Sequence, residues 1–125
     1  MKARISEELE KLINEKIYLD LEIHLLTRKL EKASQRNLQE SIAFYEKIFN
    51  EKFKQLKKAN DELRKQNVKI HQPINDDIFV QYNFYVKENG GGYKEGNFRY
   101  WKSAIKYKLK QRLDPYFCSP NRRKV

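Results

Sequence analysis

The first 72 residues of the chain contain neither glycine nor proline, the two residue types that most destabilise a helix interior. Apolar residues recur through this stretch at alternating spacings of three and four, which places them along one face of a helix. The spacing therefore predicts a helical arm over residues 1–72. Because 35% of all residues in the chain are charged, the apolar stripes must supply most of the core.

The apolar repeat of the helical arm changes phase between Ser34 and Asn37. One repeat runs from about 5 to 33 and the other from about 38 to 68, and the offset between them is not a usual coiled-coil insertion. Glu40 follows Asn37 by three residues, which resembles a capped helix start with Asn37 as the N-cap. We therefore predict two helices folded as a hairpin, with a continuous coiled-coil rod as the alternative.

A different periodicity begins after Pro73, which ends the helical pattern. Apolar and polar residues alternate from Ile78 to Lys87, as in a strand with one buried face. Residues 88–92 contain an Asn-Gly pair and three glycines, which indicates a turn. A short return strand near residues 93–95 is compatible with this turn.

The last predicted element is a helix over 98–113, with Asn97 as its N-cap and Asp114-Pro115 as its end. Its apolar residues recur every four positions, so we expect them to pack on the strand. They are Trp101, Ile105, Leu109 and Leu113. The predicted fold class is thus mainly α, a long amphipathic hairpin or coiled coil followed by a strand–turn–helix unit over 73–125 with a basic tail.

Basic residues are concentrated toward the end of the chain. The formal net charge is +10, and from Asn97 onward nine basic residues stand against one acidic residue. A strongly basic segment favours contact with nucleic acid, anionic lipid or an acidic protein. The charge therefore directs attention to the last predicted helix.

This helix carries cations with tyrosine between them, a combination that can neutralise phosphates and stack on bases. The candidate nucleic-acid-binding residues are Arg99, Lys102, Lys106, Tyr107, Lys108, Lys110 and Arg112. The alternative is that they form only the solvated outer face of a helix docked on the strand. Both interpretations predict that the cations point away from Trp101.

No recognised catalytic or cofactor motif occurs in the sequence. The loop at residues 90–96 fits neither phosphate-binding glycine pattern, and His71 with Asp76 and Asp77 lacks a known metal-ligand spacing. Cys118 has no partner pattern for a nucleophile, and a single cysteine is compatible with a reducing cytoplasm. No apolar run is long enough for a membrane span. We expect a cytoplasmic protein that is not an enzyme and has no cofactor.

Residues 96–104, Gly-Asn-Phe-Arg-Tyr-Trp-Lys-Ser-Ala, follow a Val-Gln-Tyr strand. This segment resembles the C-terminal part of small uncharacterised proteins from Bacillus-type bacteria, and the resemblance covers about residues 69–117. It implies no activity and adds no site residues.

Two functions remain open from the sequence. The first is a non-enzymatic protein that binds DNA or RNA through the basic, tyrosine-bearing helix. The alternative is a protein-interaction or regulatory module whose apolar stripes over residues 5–68 bind a partner helix or a second copy. A membrane-surface role ranks third, because the basic helix is short.

Overall fold

The computed structural model describes residues 5–117, so Cys118 and the rest of the basic tail lie outside the described residues. Three helices and four strands follow one another along the chain. They are α1 (Glu7–Gln35), α2 (Gln39–Lys65), β1 (Val68–Ile70), β2 (Ile74–Asn75), β3 (Phe79–Lys87), β4 (Tyr93–Trp101) and α3 (Lys102–Phe117). The predicted hairpin, followed by a small unit of strands and a helix, is confirmed.

The hairpin consists of α1 packed against α2, and the continuous rod is therefore wrong. Ser6 begins α1 as its N-cap, where its Oγ accepts a hydrogen bond from the Leu9 backbone N–H at 3.1 Å. The apolar stripes of both helices face inward. Their buried members include Ile13, Ile17, Leu19, Leu26, Ile48 and Leu63.

Asn37 lies at the predicted break, but its role differs from the predicted one. Its φ of 54° is left-handed, and the N-cap position of α2 is occupied by Leu38, whose side chain makes no capping bond. The backbone N–H groups of Asn37 and Leu38 instead donate to Ser34 and Ala33 at 3.1 and 3.0 Å. This is a Schellman motif, so Asn37 ends α1 and does not cap α2.

The left-handed backbone conformation of Asn37 leads to a prediction that would not follow if Asn37 were the N-cap of α2. Asn37→Gly should leave the free energy of unfolding unchanged within a few tenths of a kcal/mol, because glycine adopts positive φ freely. Asn37→Thr should cost about 1–2 kcal/mol, since a branched residue is strained in the left-handed region. Urea unfolding measures both changes. Ser6→Thr is the control at a true N-cap and should be nearly neutral, whereas equal tolerance of Thr at both positions would contradict this assignment.

The sheet is antiparallel, with β3 at its centre. β1 and β2 pair in succession with one edge of β3, and β4 pairs along the other edge from Phe79↔Trp101 to Lys87↔Tyr93. The short strands β1 and β2 were not predicted. The second helix ends at Lys65, before the expected residue 68, because Asn67 adopts a left-handed φ of 59° and turns the chain into β1.

The boundary between the last strand and the last helix is also corrected. Residues 98–101 belong to β4, so the predicted helix start at 98 and the predicted N-cap Asn97 are wrong. Pairing with β3 keeps this aromatic segment extended, and its alternation turns Phe98 and Tyr100 inward. Trp101 turns outward and is 58% exposed, which contradicts its predicted place in the core. At its other end α3 continues through Pro115 to Phe117, whose ring packs on Phe44 and Tyr45.

All three helices contribute to a core on the inner face of the sheet. This core includes Val80, Tyr82, Phe84 and Phe98 of the strands with Ile13, Leu63 and Ile105 of the helices. It joins residues of both predicted units, and the division at residue 72 itself stays a prediction. None of the described helices packs on the outer face of the sheet. None of these helices has the length and apolarity needed to cross a bilayer.

Candidate nucleic-acid interface

Two buried residues fix the position of α3. Ile105 joins the main core below the sheet, and Leu113 packs with Leu26 of α1 and Ile48 of α2. These anchors lie eight positions apart on the same face of the helix. The opposite face is therefore held toward solvent along its whole length.

The structure brings five of the predicted site residues together on α3. Lys106, Lys108, Lys110 and Tyr107 are exposed, and Lys102 is half-buried at the first position of the helix. Spacing by four places Lys102, Lys106 and Lys110 on one side of the helix. No acidic residue occurs between Lys102 and Gln111. We call these five residues the α3 basic surface.

Tyr107 stands at the middle of this surface. Its hydroxyl accepts a hydrogen bond from the Gln111 amide at 3.1 Å. Its ring is among the most exposed large side chains of the described residues. A ring in this position can stack on a base without first leaving a packed core.

Arg99 lies apart from the α3 basic surface, on β4. Its guanidinium group sits 4.1 Å from the centre of the Phe79 ring and 3.8 Å from a carboxylate oxygen of Asp76. Both partners of this ion pair are more than half exposed, so the pair is screened by solvent. Arg99 thus belongs to the outer face of the sheet.

Asp76 and His71 have local roles in the connection before β3. The Asp76 carboxylate accepts hydrogen bonds from the backbone N–H groups of Phe79 and Ile78, at 2.7 and 2.8 Å. These two bonds hold the pKa of Asp76 below its usual value. His71 lies against the ring of Tyr85, at 5.4 Å between centroids. Within residues 5–117, no group of three His, Cys, Asp or Glu side chains could hold a metal ion.

Arg112 is the predicted site residue that faces the interior. Its guanidinium donates two hydrogen bonds to Glu15, at 2.7 and 2.9 Å, and one to Glu22, at 2.8 Å. Burial alone would lower the pKa of Arg112, but the two carboxylates raise it above its usual value. The hydrogen bonds from Arg112 also lower the pKa of Glu15. Arg112 therefore ties α3 to α1, and its predicted phosphate contact is corrected to this structural role.

A second cation completes this arrangement. The ammonium group of Lys52 on α2 lies 3.2 Å from the other oxygen of Glu22, whose side chain is 0% exposed. Glu15, Glu22, Lys52 and Arg112 thus form an ion network that joins all three helices, buried at Glu22 and Lys52 and open to solvent at Glu15. The sequence signal for Lys52 is its place between Phe49 and Leu56 in the three-and-four repeat of the second helix, but this spacing does not identify Glu22 as its partner.

Comparison with known proteins adds one family. A family model described as YhjD protein matches residues 4–120, so the similarity extends over the hairpin as well as the segment 69–117 that carried the sequence resemblance. Neither the curated proteins nor the solved structures contain a significant match to the chain. The extent of the family match, nearly the whole chain, shows that this protein belongs to the YhjD family.

Proposed function

We propose that this protein is a non-enzymatic nucleic-acid-binding protein of the bacterial cytoplasm, which contacts phosphates through the α3 basic surface. The observation that carries the proposal is that a firmly anchored helix carries four lysines around the exposed ring of Tyr107, with Lys102, Lys106 and Lys110 along one side and Lys108 on another. Within residues 5–117, none of these four ammonium groups lies within 4.0 Å of a carboxylate oxygen in an ion pair. Each can therefore approach a phosphate without breaking an internal bond.

The energetic argument depends on counterion release. Each lysine that contacts a phosphate releases a condensed counterion from the nucleic acid. This release strengthens binding, and its contribution to the affinity falls as the salt concentration rises. The four lysines of α3 supply about four such contacts, fewer than the six that the sequence alone suggested, because Arg112 is paired with Glu15 and Glu22 and Arg99 lies on the sheet. Tyr107 adds a stacking surface among them.

The alternative function, a protein-interaction module, has little exposed apolar surface available on residues 5–68. The hairpin and its contacts with the sheet and α3 bury most of the apolar stripe residues between 5 and 68, including Ile13, Ile17 and Leu26. The large apolar side chains of this region that stay exposed are Leu38 and Phe53. Because these two lie fifteen positions apart on the chain, they offer a partner helix a discontinuous surface.

Titration of labelled oligonucleotides at several salt concentrations tests the proposal. The slope of log affinity against log salt should be about −3 to −4 for duplex DNA, which corresponds to four phosphate contacts. The combined reversal Lys102→Glu, Lys106→Glu and Lys110→Glu should weaken binding at low salt by at least about 100-fold, because three attractions become repulsions. Circular dichroism should show an unchanged fold, since these side chains are outside the core.

The matched control reverses Lys47, Lys54 and Lys58 to Glu on the exposed side of α2. This variant has the same net charge as the α3 variant, so it separates a binding surface from a general charge effect. We expect it to retain affinity within about threefold, because it leaves the proposed contacts intact. Equal losses in the two variants, or no oligonucleotide binding by the wild type at low salt, would refute the α3 surface.

A further inference from the structure

The outer face of the sheet carries aromatic side chains that no described element covers. Phe79 and Trp101 form a cross-strand pair with ring centroids 4.9 Å apart, and Tyr85 and Tyr93 form another at 5.4 Å. Trp101 is 58% exposed and Tyr93 is 60% exposed. A fold gains little stability from aromatic rings that stay in water, so the rings of Trp101 and Tyr93 are available to a ligand. Their partners Phe79 and Tyr85 are half-buried, with Arg99 over Phe79 and His71 against Tyr85.

From this face we infer that the protein binds single-stranded nucleic acid, whose bases stack on Trp101 and Tyr93, the exposed ring of each aromatic pair. The inference deepens the proposed function, on which it rests, by naming the class of nucleic acid. Unpaired bases expose both of their faces. Aromatic side chains can stack on these faces whatever the base sequence. Bases inside a duplex are already stacked on one another and cannot reach this face.

The geometry of the face fits an extended strand. The two aromatic pairs lie at opposite ends of β3, six residues apart, which corresponds to about 20 Å along a strand. Several nucleotides are needed to span this distance. Between the pairs the face is lined by amide side chains, those of Gln81, Asn83 and Asn97, which can donate and accept hydrogen bonds with base edges.

Charge on the face also favours a polyanion. Arg99 lies beside Phe79, while Lys69 and Lys87 pair with Tyr85 and Tyr93 in the sheet register. The acidic members are Glu95 within the face and Asp76 at its rim. Cations therefore stand beside both aromatic pairs, where the phosphates of a stacked strand would pass.

The face is continuous with the α3 basic surface. Trp101 immediately precedes Lys102, and the backbone N–H of Lys102 donates to the Ile78 carbonyl at 2.8 Å. This bond ties the start of α3 to the Phe79 end of the sheet. A strand whose phosphates follow α3 can thus place its next bases on the Phe79–Trp101 pair.

A second copy of the chain is the main rival occupant. The core of a protein–protein interface is depleted in charge and rich in apolar contact. Here the centre of the face is occupied by amides, and the apolar groups, Phe79, Trp101 and Ile74, lie at one end. This distribution favours base recognition over a dimer contact.

Trp101 is the single tryptophan of the chain, so its fluorescence reports directly on this face. We expect a labelled oligothymidylate of about 15 nucleotides, near the upper end of known single-strand site sizes, to bind and to quench this fluorescence. A duplex of the same length should bind without quenching. Trp101→Ala should weaken the single strand by about 5- to 150-fold, leave duplex affinity within about twofold, and leave the salt slope unchanged because no cation is removed.

Three further variants make the result specific. Trp101→Phe should recover most of the single-strand affinity, because a smaller aromatic ring remains. Phe53→Ala removes an aromatic ring that is 50% exposed on α2 and should leave single-strand affinity unchanged. Thermal unfolding of Trp101→Ala is measured as well, and a loss of affinity counts only if this variant is folded at the temperature of the titration. Tyr93→Ala provides the same test of stacking at the other end of the face.

The outcomes separate this inference from the proposed function. If the single strand binds and the α3 reversal weakens it, but Trp101 is not quenched and neither Trp101→Ala nor Tyr93→Ala has an effect, the stacking face is refuted and the α3 surface stands. If no oligonucleotide binds, both are refuted. If the solution mass doubles with protein concentration and Trp101→Ala prevents the doubling, the face belongs to a dimer and the inference is overturned.

Discussion

Replacing Glu22 by Ala should lower the free energy of unfolding by about 3–5 kcal/mol, the usual cost of removing one partner from a buried ion pair. Glu22 is fully buried and faces two cations, Lys52 on α2 and Arg112 on α3. Without its carboxylate, the Lys52 ammonium group would remain in the interior with no opposite charge beside it. Urea unfolding monitored by circular dichroism measures the change.

Two comparisons define this prediction. Asp61→Ala removes a carboxylate from an exposed pair with Arg64, and this should cost less than about 1 kcal/mol. The double variant Glu22→Leu with Lys52→Met should recover much of the loss, because it removes both charges and leaves apolar volume in their place. A Glu22→Ala variant as stable as Asp61→Ala would show that water reaches this network and that burial does not set its energy.

Phe84→Ala should also cost about 3–5 kcal/mol, because it opens a large cavity in the main core. Phe84 points from the central strand toward the helices, and its ring stacks on that of Phe98 at 5.4 Å between centroids. The neighbouring strands cannot move inward to fill the space without breaking their pairing with β3. The midpoint of urea unfolding is the measurement.

Phe53→Ala is the control for the loss of Phe84. Phe53 is half exposed on α2, where it stacks on Phe49, and its removal should change stability by about 0.5 kcal/mol or less. A cost below about 1.5 kcal/mol for Phe84→Ala would mean that the core collapses around the missing ring. It would then contradict the expectation that pairing with β3 holds the neighbouring strands in place.

Local patterns were sufficient to predict the hairpin and the central strand. The helical repeats on either side of Asn37 and the alternation from Ile78 to Lys87 each depend on neighbours along the chain. The role of Asn37 was harder to predict, since asparagine is favoured both at an N-cap and in the left-handed conformation that ends a helix. Only the backbone bonds to Ser34 and Ala33 distinguish the two.

The boundary at Trp101 could not be predicted from local patterns. Residues 98–101 fit a helix, since Trp101 continues the four-residue spacing of Ile105 and Leu109, and they also fit a strand. Pairing with residues 79–82 of β3 makes this segment a strand. The sequence of residues 98–101 alone does not predict that pairing. Tertiary pairing here overrides the local repeat.

The candidate site shows the same division. Lys106 and Lys110 face solvent as their spacing indicated, because the apolar residues on the opposite face anchor α3. Arg112 also fits the basic pattern of the helix, yet its partners Glu15 and Glu22 lie 97 and 90 residues away along the chain. The sequence around α3 does not distinguish Arg112 from the exposed lysines, because the partners of Arg112 are distant in the chain.

The long separation between Arg112 and its partners has a consequence for the order of folding. Contacts between residues close in sequence form quickly, whereas those that close long loops form slowly. The hairpin brings Glu22 and Lys52 together across 30 residues, whereas α3 must return across about 90 to meet them. We expect α3 to dock last, onto a hairpin that already holds a buried charged pair, so the proposed binding helix is the latest part of the protein to become native.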